Sequence, residues 1–262
     1  MRKILVCGKQ VPGVDQMRMD PDPGTLIRDG VDAIRNPMDA NALSAAISVK
    51  EQHEAEITVI SMGPPTAEKA LRSCIAMGAD KAVLLSDRAF ANADTLATSY
   101  AIREGAKLLG DFDLIFCGKE TLDGATGQMG SQLAARFGFT QLTGVSLINS
   151  VSPELRELQA ERRLENGTEV LKAKLPCLMT IEKENYPERI PNIRRNIMSK
   201  KAPVQLITAA DIPTLDRARI GDIGSPTKVP RMFPPVMPEP GLVLNGGASE
   251  ENIAKLISYI KD

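Results

Sequence analysis

The stretch that most constrains the fold runs from residue 114 to residue 138 and reads LIFCGKETLDGATGQMGSQLAARFG. An apolar run, 114–117, ends in a polar, glycine-rich loop, after which apolar residues recur at helical spacing. This order predicts a buried strand, a loop and a helix. We expect Gly118, Gly124 and Gly127 to allow positive φ angles and close approach of a ligand, next to helical amides that lack intrahelical partners. The loop therefore suits a phosphate, although it lacks the Walker and GxGxxG sequences and an ordinary strand-to-helix turn is the alternative.

Composition narrows the class of protein. The 262 residues can form one α/β domain with an arm, and 43% hydrophobic with 25% charged residues is typical of a soluble globular chain. A net charge of −1 predicts no binding of nucleic acid or anionic lipid. The N-terminal apolar run breaks at Gly8, and no run reaches the roughly 20 residues that span a bilayer. We therefore expect a cytoplasmic protein without membrane insertion.

The titratable residues do not suggest catalysis or a metal site. The four cysteines, Cys7, Cys74, Cys117 and Cys177, are widely spaced, form no CxxC pair and have only His53 as a possible histidine co-ligand. We interpret the cysteines as structural thiols and His53 as a surface residue. No catalytic side chain and no metal ligand is predicted.

Strands and helices alternate along the first half of the chain. The segment 14–35, rich in Asp, Pro and Gly, predicts an excursion or short hairpin within this pattern. The pattern is typical of an α/β fold with a parallel, helix-covered sheet in three layers, which is Rossmann-like and binds ligands outside the carboxyl ends of its strands. The predicted strands cover 3–11, 56–62, 82–85 and 114–117, the helices begin at Asn36-Pro37, Thr66, Asp94-Thr95 and Met129, and the carboxyl-edge loops begin at Cys7, Met62, Ser86 and Cys117.

The second half of the chain changes character. Strands are predicted at 145–151, 157–164, 169–174 and 177–182. Glu165-Asn166-Gly167 connects the second and third of them, and its Asn-Gly pair indicates a hairpin, while the last strand is expected to return to the sheet. Six prolines between 226 and 240 predict an extended arm, followed by an amphipathic helix over 249–260. We divide the chain into a nucleotide-binding domain, 1–204, which includes a hairpin at 155–175, and an arm with a helix, 205–262. The arm either packs on a partner subunit or folds back on its own domain.

The sequence resembles the small (β) subunit of electron-transferring flavoproteins over essentially its whole length. The most specific match is AERRLENGTEVLKAKLPCLMT at 160–180, in which only Asn166 departs from the family signature. Further matches are VCGKQVPG, NPMDANAL, SMGP, AMGAD, DTLATS and GKETLDGATGQMG. The resemblance implies a fold like that of the adenine-nucleotide α-hydrolases, with a C-terminal arm and helix that pack on the α subunit.

The resemblance also implies a nucleotide site and places residues in it. The loop sequence DGATGQMG is similar to DGDTAQVG of family members that hold a redox-active FAD, which favours FAD over the structural AMP of other members. The residues implied to bind the cofactor are Cys7, Asn36, Pro37, Met38, Asp39, Met62, Gly63, Asp94, Thr95, Gly118, Asp123, Gly124, Ala125, Thr126, Gly127, Gln128 and Met129. At the amino end of the helix that follows Asn36, the residues alone favour simple capping over contact with a nucleotide.

The implied function is electron bifurcation within a complex. The chain would accept a hydride from NADH and pass electrons to ferredoxin and, through the FAD of the α subunit, to a flavin-dependent dehydrogenase of the acyl-CoA or lactate type. Alternatively, it would be a non-bifurcating subunit that holds AMP and serves as a scaffold for docking a dehydrogenase. Ile190 and Pro191 resemble the family's recognition loop and are the predicted docking residues, unless Ile190 covers the core of its own chain.

Overall fold

A nine-stranded sheet forms the centre of the molecule. The computed structural model describes residues 2–13, 18–19, 26–27, 33–152, 154, 156–228, 241, 243–245 and 247–261. The strands of the main sheet are β1 (Arg2–Cys7), β6 (Ala55–Met62), β7 (Lys81–Leu85), β8 (Leu114–Gly118), β9 (Thr140–Val151), β10 (Glu157–Leu164), β11 (Gly167–Lys174), β12 (Cys177–Ile181) and β13 (Gln205–Ile207). Two small sheets pair β2 (Gln10–Pro12) with β5 (Ala33–Arg35), and β3 (Arg18–Met19) with β4 (Leu26–Ile27).

The order across the main sheet is β11-β10-β9-β12-β8-β1-β6-β7-β13. Within the part of this order that runs β9-β12-β8-β1-β6-β7-β13, each pair of neighbouring strands is parallel. Strand β10 pairs antiparallel with both β9 and β11. Leu164 pairs with Gly167 across the hairpin, so Glu165 and Asn166 form its two-residue loop. The parallel, helix-covered sheet predicted from the sequence is thereby confirmed, and β12 returns to the sheet as expected, between β9 and β8.

Helices cover both faces of the sheet. They are α1 (Pro37–Gln52), α2 (Glu68–Met77), α3 (Thr95–Lys107), α4 (Met129–Phe137), α5 (Ile193–Ser199) and α6 (Glu250–Lys261). Alternate residues of β1 show the three layers: Ile4 and Val6 lie in a core with α1 and α2, while Leu5 lies in a second core with α3 and α4. Because both faces are buried, the parallel strands form continuous apolar runs.

Several predicted boundaries were wrong. The strand expected at 3–11 is two strands, because the chain leaves the main sheet after the Gly8 amide donates to the Ile60 carbonyl (2.9 Å). The helix expected from Thr66 starts with a 3₁₀ turn, Pro65–Ala67, and α3 ends at Lys107 rather than near residue 110. Strand β9 begins five residues before the predicted start at 145, because Gly144 (φ +66°) bulges within the strand instead of ending it.

The C-terminal region contains elements that the pattern did not predict. Strand β13, three residues long, begins just after the division at residue 204 and pairs with β7, and α5 packs on α2. Most of the proline-rich stretch lies outside the described residues, as do parts of the excursion at 14–35. The terminal helix is confirmed as α6, on which Ile253, Leu256 and Ile257 are exposed. Within the described residues, no helix is long and apolar enough to cross a membrane.

Candidate functional site

Three neighbouring strands end at one edge of the sheet. Strand β1 lies between β8 and β6, and the three strands end at Cys7, Gly118 and Met62 respectively. The chain continues from these ends into residues 8–9, 119–128 and 63–64. The predicted site residues at the strand ends therefore lie side by side, because parallel strands bring their carboxyl ends to the same edge.

Asn36 connects the start of α1 with the glycine-rich loop at 119–128. It occupies the N-cap position, but its side chain makes no capping hydrogen bond. Instead its Nδ2 donates to the Glu120 carbonyl (2.9 Å) and its Oδ1 accepts from the Leu122 amide (3.3 Å). Asn36 is completely buried. Asn36 is thus the N-cap residue by position, as predicted, but its side-chain amide binds the loop instead of the helix, and Pro37 already removes one amide of the first turn.

Asp39 is a buried carboxyl group below the same loop. Its Oδ2 accepts from the Lys9 amide (2.8 Å), and its exposed fraction is 8%. Burial raises the pKa of Asp39 to about 7, although hydrogen bonds from Asn36 and from the Lys9 and Gly118 amides oppose the rise. Asp39 thus joins the turn after β1 to the end of β8.

The Lys9 side chain links the turn after β1 to the glycine-rich loop. Its Nζ donates to both carboxylate oxygens of Asp123, at 2.9 Å and 2.7 Å. Burial by itself would raise the pKa of Asp123, but hydrogen bonds from Lys9 and Thr121 and the charge of Lys9 lower it on balance. Asp123 is therefore ionised at neutral pH and holds the loop to the end of β1.

The start of α3 is joined to the start of α4. Asp94 caps α3 by accepting from the Ala97 amide (3.0 Å), as predicted. The Thr95 hydroxyl donates to Gln128 Oε1 (2.8 Å) and accepts from Gln132 Nε2 (3.1 Å). Burial alone would raise the pKa of Asp94, but amide hydrogen bonds, above all from Ala97 and Thr227, lower it on balance.

The glycines of the loop have different roles from those expected. Of the three glycines, Gly127 alone has a positive φ (+61°). The prediction of positive φ was wrong for Gly118 and Gly124, and Ala125 adopts a positive φ (+45°) instead. Gly118 is needed for close approach, because a Cβ there would lie 2.5 Å from Asp39 Oδ1. A Cβ at Gly124 would lie 3.6 Å from the Thr121 hydroxyl oxygen, an ordinary contact distance, so close approach does not require glycine there. The left-handed backbone at Ala125 is uncommon for a residue with a side chain.

Two thiols lie beneath this edge of the sheet. Cys7 and Cys117 contribute to the same core, and a hydrogen bond with the Cys7 thiol together with burial raises the pKa of Cys117 well above its usual value. Cys117 therefore remains a neutral thiol. All four cysteines are free, and no group of three or more metal-binding side chains occurs among the described residues.

These groups fit a nucleotide with a phosphate. The loop residues 122–128 are exposed, and α4 starts directly after them with amides that lack intrahelical acceptors. Gln132 Oε1 is buried without a hydrogen-bond partner in the described part of the chain, although its Nε2 is bonded to Thr95. An unsatisfied buried acceptor beside free amides is an arrangement that a polar ligand would complete.

Comparison with known proteins places this geometry in a family. Residues 24–212, more than half of the chain, match the electron transfer flavoprotein domain. The chain belongs to the electron transfer flavoprotein family. It is 41% identical over 259 residues to the electron transfer flavoprotein subunit beta of Clostridium acetobutylicum, which covers 99% of this chain and 98% of that one.

Other relatives of this electron transfer flavoprotein have different names. Caffeyl-CoA reductase-Etf complex subunit CarD of Acetobacterium woodii is 40% identical over 261 residues, with 99% of this chain and 98% of that one covered. Protein FixA of Azorhizobium caulinodans is 43% identical over 236 residues, with 88% and 84% covered. The chain is therefore a β-type member of an electron-transfer family, and its resemblance to that family, recognised from the sequence, is confirmed.

The residues implied by the resemblance fall into two groups. One group lies at the ends of β8, β1 and β6, in the loop and at the starts of α1, α3 and α4, whereas Ile190 and Pro191 lie elsewhere, before α5. Pro37, beside Asn36, is exposed, and Met38 and Gly63 are half-buried. Two residues that the sequence reasoning did not single out, Lys9 and Gln132, complete the connections of the loop. Lys9 could have been found as the first charged residue after a buried strand, and Gln132 from its spacing of one helical turn after Gln128.

Proposed function

We propose that this chain is the β subunit of a heterodimeric electron-transferring flavoprotein that binds FAD at the carboxyl edge of β8, β1 and β6. In this proposal it oxidises NADH and passes electrons to ferredoxin and, through the FAD of an α subunit, to a partner dehydrogenase. Bound FAD would supply hydride acceptance and one-electron transfer, chemistry for which proteins depend on cofactors. The main support for this proposal is the loop at 119–128, which lies within the stretch that matches the family. Asn36 and the Lys9 side chain hold this loop at the strand ends, and Asp39 binds the Lys9 amide.

The side chains at this edge position the cofactor and need not react with it. The exposed loop and the first amides of α4 would receive the phosphates, while Thr95, Gln128 and Gln132 offer polar atoms to the ligand. The thiols of Cys7 and Cys117 and the thioether of Met62 form an apolar floor at the strand ends. Such a floor excludes water from one side of a bound ring system.

The docking surface for the dehydrogenase is proposed to be the segment before α5. Ile190 is 93% exposed, so it does not cover the core of its own chain. Arg189 Nη2 donates to Glu51 Oε2 (2.8 Å), which fixes the base of the segment on α1. Ile193 and Ile197, which follow Ile190 within seven residues in the sequence, are also exposed and add to the apolar character of this segment. An exposed apolar patch of this kind on a fixed base is typical of a protein–protein contact.

The decisive experiment counts nucleotides in the heterodimer of this chain with its α partner. We expect two FAD and no AMP per heterodimer, measured by absorbance and by mass spectrometry of the nucleotides released on denaturation. One FAD accompanied by one AMP would overturn the proposal, because this chain would then be a structural and docking subunit. Reduction of ferredoxin by NADH in the presence of the dehydrogenase and its substrate then tests bifurcation itself.

A further inference from the structure

Another exposed isoleucine lies on the opposite face of the sheet from Ile190. Ile223 is 82% exposed and stands between two clefts. One cleft, of about 340 Å³, is lined by Arg136 and Arg219. The other, of about 350 Å³, is lined by Arg88 and Arg217. We call Ile223 with these four arginines the Ile223 surface.

The turn that carries Ile223 is tightly held. Ile220 is 3% exposed and anchors the turn in the core below α3, and the Gly224 amide donates to the Ile220 carbonyl (2.9 Å). A Cβ at Gly221 (φ +57°) would lie 2.2 Å from the Ala89 carbonyl oxygen, and one at Gly224 would lie 2.1 Å from the Arg219 carbonyl carbon. Because the backbone on both sides of Ile223 is packed this closely, the isoleucine is presented in a fixed position, which reduces the entropy cost of binding.

The four arginines carry charge that the chain does not neutralise by ion pairs. None of them forms a salt bridge within the part of the chain that the structure describes. Arg219 lies over the Tyr100 ring at 4.2 Å and Arg136 lies over the same ring at 5.5 Å, so two cations share one aromatic ring. Burial lowers the pKa of Arg136, and the charge of Arg219 lowers it further.

The neighbouring carboxylates are already engaged. Asp87 accepts from the Ala89 and Ala209 amides and lies close enough to Arg217 for its pKa to be lowered partly by that charge. Asp222 pairs with Lys228. Asp216 accepts from the Ala218 amide. Among the residues that line the two clefts, the four arginines face a single carboxylate, Asp222, so positive charge predominates around the exposed Ile223 side chain.

The Ile223 surface is connected to the candidate nucleotide site. The Asp94 amide donates to the Ser225 hydroxyl (2.8 Å), and the Thr227 amide donates to the Asp94 carboxylate (3.1 Å). Leu96, which lines the cleft of Arg136 and Arg219, follows Thr95 at the start of α3. Ile190, in contrast, belongs to the side of the sheet that carries α2, because α5 packs there.

We propose that the Ile223 surface docks a small acidic iron–sulfur protein of the ferredoxin class. This inference rests on the proposed function, which requires two electron acceptors. Arginines around a central apolar residue complement a partner that presents carboxylates around an apolar recess. Docking on this face leaves Ile190 and the segment before α5 free, so both acceptors can be bound at once from opposite sides of the sheet.

The test uses the complete heterodimer and a purified two-cluster ferredoxin as the probe. Binding of oxidised ferredoxin is measured by calorimetry at low and high salt, and ferredoxin-dependent NADH oxidation is followed in parallel. We expect Arg88→Glu/Arg217→Glu to raise the Kd at low salt about tenfold or more, with a matching rise in KM and little change in kcat, because charge reversal removes electrostatic attraction. Binding by the unaltered protein should weaken as salt rises.

Matched variants separate this proposal from its alternatives. Ile223→Ala should weaken ferredoxin binding and leave electron delivery to the dehydrogenase unchanged, whereas Ile190→Ala should do the reverse. Arg88 and Arg217 do not contact Tyr100, so their reversal does not disturb its stacking. FAD content and NADH oxidation by an artificial dye test the proposed function separately, since they need no ferredoxin. Unchanged ferredoxin affinity in Arg88→Glu/Arg217→Glu would overturn the proposal, and so would failure of that variant to pair with the α subunit, because the face would then be a subunit interface.

Discussion

Replacing Asn36 by alanine tests how the nucleotide loop is held. The substitution removes the hydrogen bond to the Glu120 carbonyl (2.9 Å) and the longer one from the Leu122 amide (3.3 Å). The shorter bond contributes about 1 kcal/mol net and the longer one less, giving a total of about 1–2 kcal/mol. The desolvation penalty is small, because Leu122 is exposed and Glu120 half-buried, so water can satisfy the freed groups.

The expected effect is on binding rather than on the helix. Since the Asn36 side chain makes no capping bond, α1 should still form, although Asp39 loses its hydrogen bond from Asn36, while the loop loses the energy that holds it in place. A loss of about 1–2 kcal/mol corresponds to a rise of roughly 5–30-fold in the Kd of FAD for the heterodimer. The assay is titration of FAD into deflavinated heterodimer, together with FAD content after gel filtration.

Asn41 provides the matched control on the same helix. Its Nδ2 donates to the Tyr186 carbonyl (2.7 Å), so Asn41→Ala also removes an amide-to-carbonyl hydrogen bond, but one that does not involve the loop. We expect Asn41→Ala to lower the melting temperature without weakening FAD binding. Equal FAD affinities for Asn36→Ala and the unaltered heterodimer would refute the reasoning, as would equal losses in the two variants.

Three further predictions follow from particular contacts. The pKa of about 7 at buried Asp39 means that the folded state binds a proton that the unfolded state lacks between about pH 4 and 7, so stability falls as pH rises through this range. At about 1.4 kcal/mol per pH unit, the loss of stability over this range is at most about 4 kcal/mol. Asp39→Asn should make the melting temperature less dependent on pH. If the melting temperatures of the variant and the unaltered protein change with pH in parallel, Asp39 does not have the raised pKa. Gly130→Ala would place a Cβ 2.3 Å from Thr180 Cγ2 and should lower the free energy of unfolding of the heterodimer by about 1–3 kcal/mol. Adding Thr180→Ser, which removes that methyl group, should restore the stability. If thermal melts show no rescue, the clash is not the cause. Ile190→Ala should weaken binding to the dehydrogenase about tenfold or more and leave the FAD content unchanged. The affinity is measured from the rate of electron delivery as a function of dehydrogenase concentration. Unchanged delivery would show that Ile190 is not part of the docking surface.

The sequence predicted the main features of the fold because they depend on local patterns. Strands buried on both faces are continuous apolar runs, Asn-Pro and Asp-Thr mark the starts of α1 and α3, and Asn-Gly marks the hairpin between β10 and β11. Since parallel strands bring their carboxyl ends to one edge, these patterns were enough to place the candidate site. Short elements such as β13 were not predicted, because three residues are too few to show the alternation of apolar and polar residues that indicates a strand.

Tertiary structure alone decided what the individual site residues do. Asn36 reads as a helix cap in the sequence, but its side chain bonds the loop backbone 84 residues further along the chain. The sequence predicted that Gly118 adopts a positive φ, whereas the structure requires glycine there because Asp39 lies too close to leave room for a Cβ. The four arginines around Ile223 are scattered between residues 88 and 219 and form one surface only when 217–226 packs on α3 and α4. Local patterns determine the elements, whereas hydrogen bonds and clashes between distant segments depend on how those elements pack.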